Sequence, residues 1–114
     1  MPVNSTLSFA ERKRTSDSLM LKYPDRVPIV VTPFTSSDPN ISKEKFLCPR
    51  DLTMSKFVAE ALKQISPRNA HDAIRFFINN NMPSGSQYIG VIYETDKNLD
   101  GYLYIQYTKE NVFG

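Results

Sequence analysis

The residues that could do chemistry in this 114-residue chain are few, with one thiol, Cys48, and one imidazole, His71. A cysteine thiolate beside a histidine base would make a nucleophile. However, Cys48 lies in a segment with strand-like alternation, where a free cysteine commonly packs as a small buried hydrophobe. His71 stands beside Asp72 at a loop boundary, and no known catalytic or phosphate-binding motif accompanies it. The sequence therefore predicts no catalytic residues, no cofactor and no metal site.

The composition is typical of one small globular domain. Hydrophobic residues make up 40% of the chain and charged residues 23%, which differs from a disordered protein. The net charge of +2 is too small to indicate a nucleic-acid partner. No apolar run approaches the roughly 18 residues of a membrane span, and residues 1–9 lack the pattern of a secretory signal. We therefore expect a small soluble intracellular domain.

Hydrophobic periodicity predicts the elements that must position any functional residue. Four segments are β-branched or alternate in the manner of strands, and one apolar stripe at helical spacing follows a good N-cap residue, Thr53. Residues 86–95 fit either a helix or a strand. The strands are predicted at residues 27–32, 45–48, 73–78 and 102–107, and the helix at residues 54–65.

The N-terminal stretch is helical but weakly amphipathic. Ser8 and Glu11 have the spacing of a capping box, and the helical pattern runs to about Lys22 with few apolar positions. Two short helices docked on a larger body fit this pattern better than one strongly amphipathic helix. We therefore expect three parts, which are an N-terminal extension (1–26), a core (27–107) and a flexible tail (108–114).

The order strand, strand, helix, strand, possible helix, strand predicts an α+β fold. A β-grasp, in which a central helix crosses one face of a four-stranded mixed sheet, satisfies this order with short connections. A ferredoxin-like fold is the alternative. It requires a helix between its first two strands, where residues 35–40 form a polar loop.

A β-grasp domain that ends in a short tail and a glycine is built like a ubiquitin-type modifier. The reactive group would be the α-carboxylate of Gly114, which one enzyme could adenylate and a partner's cysteine could carry as a thioester. Without a Cβ atom, glycine enters narrow channels that exclude other residues. Chance is the alternative explanation, because glycine makes up about 7% of residues in proteins.

Five colinear motifs resemble the autophagy-related protein 8 / GABARAP family of ubiquitin-like modifiers. Together they cover nearly the whole chain, from about Ser8 to Gly114. The resemblance implies a ubiquitin-like β-grasp preceded by two short helices, and it favours a helix within residues 86–95. The motifs are FAERKR at 9–14, YPDRVPIV at 23–30, KFLCPRDLT at 45–53, DGYLY at 100–104 and ENVFG at 110–114.

The resemblance also implies a reaction at the tail. Gly114 would be the acyl donor, with Phe113 in the recognised tail, and its acceptor would be the amine of phosphatidylethanolamine on the growing autophagosome membrane. The implied partners are an activating enzyme, a conjugating enzyme, a processing cysteine protease and membranes containing phosphatidylethanolamine. The chain itself would not be an enzyme. It would lie in the cytoplasm and, when lipidated, on the autophagosome membrane.

A second implied activity is the binding of autophagy receptors through aromatic-x-x-aliphatic peptides. The peptide would add a strand beside the second strand of the sheet, and two pockets would select its side chains. Arg26 matches a position that pairs with acidic peptide residues. The aromatic pocket is expected to involve Leu19, Pro28, Lys45, Leu47 and Tyr102, and the aliphatic pocket Phe46, Cys48, Pro49, Leu52 and Phe57.

The alternation of the second strand places Phe46 and Leu47 on opposite faces of the sheet. The two pockets therefore require either a twist of the edge strand or a wall supplied by the central helix. An ordinary core role explains Leu52 and Phe57 equally well, whereas for Lys45 and Leu47 the groove is favoured.

Three residues depart from the family pattern. Thr15 replaces an acidic residue that meets the peptide aromatic, Glu60 replaces an apolar pocket residue, and Gln64 replaces a basic residue near the peptide. We therefore expect a divergent member with altered affinity or motif preference.

Two further hypotheses belong to other functional classes. The first is a ubiquitin-fold adaptor in membrane trafficking that binds peptides but is never conjugated. For this adaptor, Gly114→Ala would leave localisation and peptide binding unchanged. The second is a small hydrolase or thiol enzyme that uses Cys48 and His71, for which Cys48→Ala would abolish an activity.

Overall fold

The computed structural model describes residues 7–66 and 73–109, which form three helices and four strands. Residues 86–95, for which periodicity left helix and strand open, contain most of the third helix. The helices are α1 (Phe9–Lys22), α2 (Met54–Leu62) and α3 (Ile89–Asp96), and the strands are β1 (Arg26–Pro33), β2 (Lys45–Pro49), β3 (Ile74–Phe77) and β4 (Leu103–Lys109).

The four strands form one mixed sheet in the order β2-β1-β4-β3. Strand β1 is antiparallel to β2 and parallel to β4, and β3 is antiparallel to β4. The run from Val27 to Thr32 is buried without interruption, because β1 has a strand on each side and helices over both faces. The predicted α+β β-grasp is confirmed.

Helix α2 covers one face of the sheet, which we call the inner face. Thr53 caps it as predicted, since its hydroxyl accepts a hydrogen bond from the Lys56 amide at 3.3 Å. The helix ends at Leu62, earlier than predicted, because the chain then tightens into bonds that span three residues. The inner-face core includes Val27, Ile29, Val31, Phe57, Ala61, Phe76, Leu103, Ile105 and Tyr107.

The described part of the N-terminal extension is one helix of 14 residues, so the prediction of two short helices is wrong for residues 9–22. The predicted capping box is present, with the Ser8 amide 3.2 Å from Glu11 Oε1 and the Glu11 amide 3.1 Å from Ser8 Oγ. No proline or glycine interrupts the helix until Pro24 follows it. Helix α1 is therefore continuous because its backbone hydrogen bonds are uninterrupted, and not because it has an apolar face.

Helix α1 docks mainly through polar contacts, because its only buried residue is Ser16, and the half-buried Met20 adds an apolar contact with the core. The Ser16 hydroxyl donates to the backbone carbonyl of Asp100 at 2.5 Å. Arg12 Nε lies 2.9 Å from Asp100 Oδ2, and that carboxylate, which is fully buried, also accepts from the Tyr104 hydroxyl and the Tyr102 amide. A buried charge with this many donors is well compensated, so Asp100 joins α1 to the start of β4.

Strand β4 is longer than predicted. Thr108 and Lys109, which were expected in the tail, continue the strand opposite Arg75 and Ile74 of β3. No helix in the described residues combines the length and the apolar character needed to cross a membrane.

We predict that Gly101→Ala lowers the free energy of unfolding by about 2–4 kcal/mol, measured by urea denaturation. Gly101 has a φ of +89°, and a Cβ atom there would lie 2.2 Å from Ser16 Oγ. In the Ser16→Gly background, where the steric contact is absent, Gly101→Ala should cost only the part that comes from the positive φ. A Gly101→Ala protein as stable as the wild type would contradict this account of α1 docking.

Candidate functional site

Strand β2 is an edge strand of the sheet, paired with β1 on one side. Two backbone hydrogen bonds bracket this pairing, from the Arg50 amide to the Asp25 carbonyl at 3.1 Å and from the Val31 amide to the Glu44 carbonyl at 2.7 Å. Both bonds follow the same register as the paired strands. In an antiparallel ladder the backbone groups of alternate residues face the partner strand, so these bonds determine the direction of every group in β2.

The backbone groups of Phe46 and Cys48 therefore face β1, and those of Lys45 and Leu47 face the open edge. Within the part of the chain that the structure describes, no strand pairs with this edge. An open edge of this kind offers amides and carbonyls to an added strand. It is the candidate functional site, and the side chains on its two sides decide what could bind there.

The expected aromatic pocket lies on the outer face of the sheet, away from α2. Leu47 is opposite Pro28 in the β1–β2 register, and Lys45 is two residues further along β2. Leu47 is half-buried and Lys45 is exposed, while Pro28 and Tyr102 are buried beneath them. Leu19 is half-buried on α1. The accessible members are therefore Lys45, Leu47 and Leu19, with Pro28 and Tyr102 available only as a floor.

The expected aliphatic pocket lies on the inner face, where α2 provides a wall. The Phe46 ring meets Phe57 edge to face at 5.4 Å between centroids, which joins β2 directly to α2. Phe46, Pro49 and Leu52 are half-buried. Phe57 is fully buried and Cys48 is 6% exposed, so both belong to the core and can contact a ligand only as a lining beneath the surface.

Phe46 and Leu47 therefore lie on opposite faces of one edge strand, as the alternation predicted. A chain laid along the edge has its own side chains alternating in the same way. Two side chains three residues apart in such a chain point to opposite faces, so one would meet Leu47 and the other would meet the Phe46 side. The sequence analysis required either a twist of the edge strand or a wall supplied by the central helix. The structure contains the wall, because Phe57 of α2 contacts Phe46.

Positive charge surrounds the edge. Arg26 is exposed, and its Nη1 atom lies 3.4 Å from the Leu47 carbonyl oxygen, at the long limit of a hydrogen bond. Lys43 Nζ lies 4.9 Å above the Phe46 ring centroid, a cation–π contact that the sequence analysis missed. Together with Lys45, these groups favour a ligand that carries carboxylates.

The three departures from the family pattern lie at or near the surface. Thr15 is exposed and its hydroxyl donates to a carbonyl one turn earlier in α1 at 3.0 Å. Glu60 is exposed and forms an ion pair with Lys63 at 3.4 Å. Gln64 Oε1 accepts from the Ser42 hydroxyl at 3.0 Å, which ties the end of α2 to the loop before β2.

Cys48 is poorly suited to nucleophilic chemistry. Burial raises the pKa of its thiol to about 11, and the nearby charges of Lys43 and Arg26 offset only part of that effect. His71, the base in the thiol-enzyme hypothesis, lies outside the described residues. Within residues 7–66 and 73–109, acidic, cysteine and histidine side chains do not gather into a group of three that could hold a metal ion.

We predict that native Cys48 reacts with iodoacetamide at pH 8 roughly 200-fold more slowly than in the urea-unfolded chain. The thiolate fraction is about 0.1% at a pKa of 11 and about 20% at an ordinary thiol pKa. Intact mass measured against time gives both rates. Equal rates in the folded and unfolded protein would contradict the assignment of Cys48 to the core.

The tail residues Phe113 and Gly114 lie outside the described residues, so the structure describes the tail only as far as Lys109. That residue ends β4, an inner strand that β1 separates from the β2 edge. The tail therefore leaves the domain at a point distinct from the β2 edge.

A mixed sheet whose first and last strands are parallel neighbours, crossed by one helix, defines a ubiquitin-like protein. The family model described as "Autophagy protein Atg8 ubiquitin like" matches residues 11–114. Autophagy-related protein 8 of Dictyostelium discoideum is 42% identical over 105 residues, covering 91% of this chain and 86% of that protein. Autophagy-related protein 8e of Arabidopsis thaliana is 41% identical over 107 residues, covering 93% and 87%.

Solved structures agree with the sequence matches. Trypanosoma brucei ATG8 superimposes with a TM-score of 0.81 at 29% identity, covering 92% of this chain and 90% of that one. Plasmodium falciparum Atg8, solved in complex with a Plasmodium falciparum Atg3 peptide, superimposes with a TM-score of 0.84 at 30% identity, covering 95% and 96%. The chain belongs to the Atg8 family and is a ubiquitin-like autophagy protein.

Proposed function

We propose that this protein is a modifier conjugated through Gly114 to phosphatidylethanolamine, and that it binds aromatic-x-x-aliphatic receptor peptides at the β2 edge during autophagosome formation. The observation that carries the proposal is the open edge of β2 between two apolar faces. The family membership supports the reaction at the tail.

The peptide-binding half rests on backbone geometry. An added strand would pair with the amides and carbonyls of Lys45 and Leu47, with its aromatic side chain on the outer face and its aliphatic side chain on the inner face. The Leu47 carbonyl would exchange its long contact with Arg26 for a backbone donor, which frees the guanidinium for an acidic peptide residue. The complex of Plasmodium falciparum Atg8 with an Atg3 peptide supports peptide binding as an activity of this fold.

Hydrogen exchange tests the proposed pairing at single amides. On adding an aromatic-x-x-aliphatic peptide, we expect the amides of Lys45 and Leu47 to become protected, because they face the open edge. The amides of Phe46 and Cys48, which face β1, should change little. Protection of all four amides, or of none, would count against strand addition at this edge.

Leu47→Ala should weaken the peptide about tenfold in fluorescence anisotropy, as expected for a residue at the centre of an interface. Leu99→Ala is the matched control, since Leu99 is 83% exposed and lies outside the site. If both variants bind like the wild type, the outer-face pocket is not used.

The conjugation half uses the α-carboxylate of Gly114. An activating enzyme would adenylate the carboxylate with ATP and release pyrophosphate, and its cysteine would displace AMP to form a thioester. After transfer to a conjugating enzyme, the ethanolamine nitrogen would attack the carbonyl carbon, forming an amide and releasing the thiol. A cysteine protease would process the tail. All the catalytic groups are on the partners, so this chain would act as a substrate rather than an enzyme.

Intact mass of the protein recovered from membranes of starved cells tests this half. We expect a phospholipid-sized increase in the wild type and none in Gly114→Ala, whose methyl group obstructs the narrow channels of the cascade enzymes. The same experiment reports the proposed change of location, from the cytoplasm to the autophagosome membrane.

The absence of an adduct in both proteins, in cells with active autophagy, would favour the adaptor that binds peptides without conjugation. The peptide-binding experiments do not depend on that result. The two halves of the proposal can therefore fail separately.

A further inference from the structure

Strand β4 continues beyond the end of its parallel neighbour β1. The last pair of the β1–β4 register is Pro33 with Tyr107, and the Phe34 amide then donates to the Tyr107 carbonyl at 2.8 Å. Backbone groups two residues apart in a strand point the same way. The Lys109 amide therefore also points toward β1, at a level where β1 has already ended.

The side chain of Asp38 takes the place of the missing strand. Its Oδ1 atom accepts from the Lys109 amide at 2.9 Å and from the Thr108 hydroxyl at 3.0 Å. Its Oδ2 atom accepts from the amide and the hydroxyl of Thr35, both at 2.9 Å. The loop that carries Asp38 is tied to β4 a second time, by a hydrogen bond from the Tyr107 hydroxyl to the Pro39 carbonyl.

Asp38 is buried, with 5% of its surface exposed. Burial raises the pKa of its carboxyl group, but the hydrogen bonds from Lys109, Thr35 and Thr108 outweigh that effect and hold the pKa below its ordinary value. Both oxygens accept two hydrogen bonds each, so the charge is compensated without a cation. A carboxylate held in this way is a rigid anchor for the last two residues of β4.

We propose that Asp38 is a positioning residue for conjugation, because together with the pairing to β3 it holds Thr108 and Lys109 in the sheet and so sets the point from which residues 110–114 reach an enzyme. This inference rests on the proposed function of Gly114. Five residues beyond Lys109 span at most about 17 Å, at roughly 3.5 Å per residue. If Thr108 and Lys109 detached, seven residues would span about 24 Å, and the volume open to the carboxylate would grow about threefold.

The expected consequence is a weaker encounter with the enzymes rather than a slower reaction of the bound tail. In thioester formation with the activating enzyme, we expect Asp38→Ala to raise KM at least threefold and to leave kcat nearly unchanged. Asp38→Asn keeps one oxygen acceptor and should give an intermediate KM. Asp17→Asn, which removes an exposed carboxylate on α1, is the matched control and should behave as the wild type.

Hydrogen exchange shows whether the anchor has been released in the same samples. The Lys109 amide should exchange faster in Asp38→Ala, while peptide binding at the β2 edge stays unchanged and shows that the fold is intact. Should Asp38→Ala fail to fold, Thr108→Val removes one hydrogen bond to the same carboxylate at nearly constant volume. It should raise KM in the same direction by a smaller factor.

An unchanged KM, together with faster exchange of the Lys109 amide, would overturn the positioning role and leave the proposed function standing. A wild-type protein that forms no thioester would overturn the proposed function, and this inference with it. An equal rise in KM for Asp17→Asn would also overturn the inference, since the effect would then not be specific to Asp38.

Discussion

The parallel pairing of β1 with β4 is the constraint on which the rest of the structure depends. Parallel strands cannot be joined by a tight hairpin, so the chain between them must leave the sheet and return. The intervening segment therefore supplies β2 and β3 to the two edges and α2 to the inner face. The buried run from Val27 to Thr32 supplies the apolar surface that this arrangement requires. In the described residues no strand pairs with the outer side of β2, and the chain continues from the end of β4 toward Gly114.

Two buried carboxylates secure the ends of β4. Asp100 lies just before the strand and binds Arg12 and Ser16 of α1 through its side chain and its backbone carbonyl. Asp38 lies at the other end and binds the last two residues of the strand. Burial removes water from both carboxylates, and several hydrogen-bond donors take its place. A substitution that removes one of these donors therefore leaves a buried charge with too few partners. The central strand is thus defined by polar contacts at its limits and by apolar packing along its length.

The core elements could be predicted because each one carries its signal locally. Uninterrupted β-branched residues at 27–32 indicate a buried strand, and the stripe of Phe57, Ala61 and Leu62 after Thr53 indicates an amphipathic helix. The predictions that were wrong concern the end of a strand, the end of α2 and the break expected between two N-terminal helices. Helix α1 is continuous although little of it is buried, and β4 extends through Thr108 and Lys109 because β3 and Asp38 bind them. The cause lies outside the segment for β4, whereas the continuity of α1 comes from its own uninterrupted backbone bonding.

The candidate site also has some features that the sequence predicts and others that depend on residues distant in sequence. The sequence alone determined that Phe46 and Leu47 lie on opposite faces, since alternation is a property of any extended chain. Only the tertiary structure decided that the backbone of Lys45 and Leu47 faces an open edge, that Phe57 is buried beneath Phe46, and that Asp38 anchors the end of β4. The physical reason is that each of these depends on a partner distant in sequence, and local periodicity carries no information about which distant groups meet.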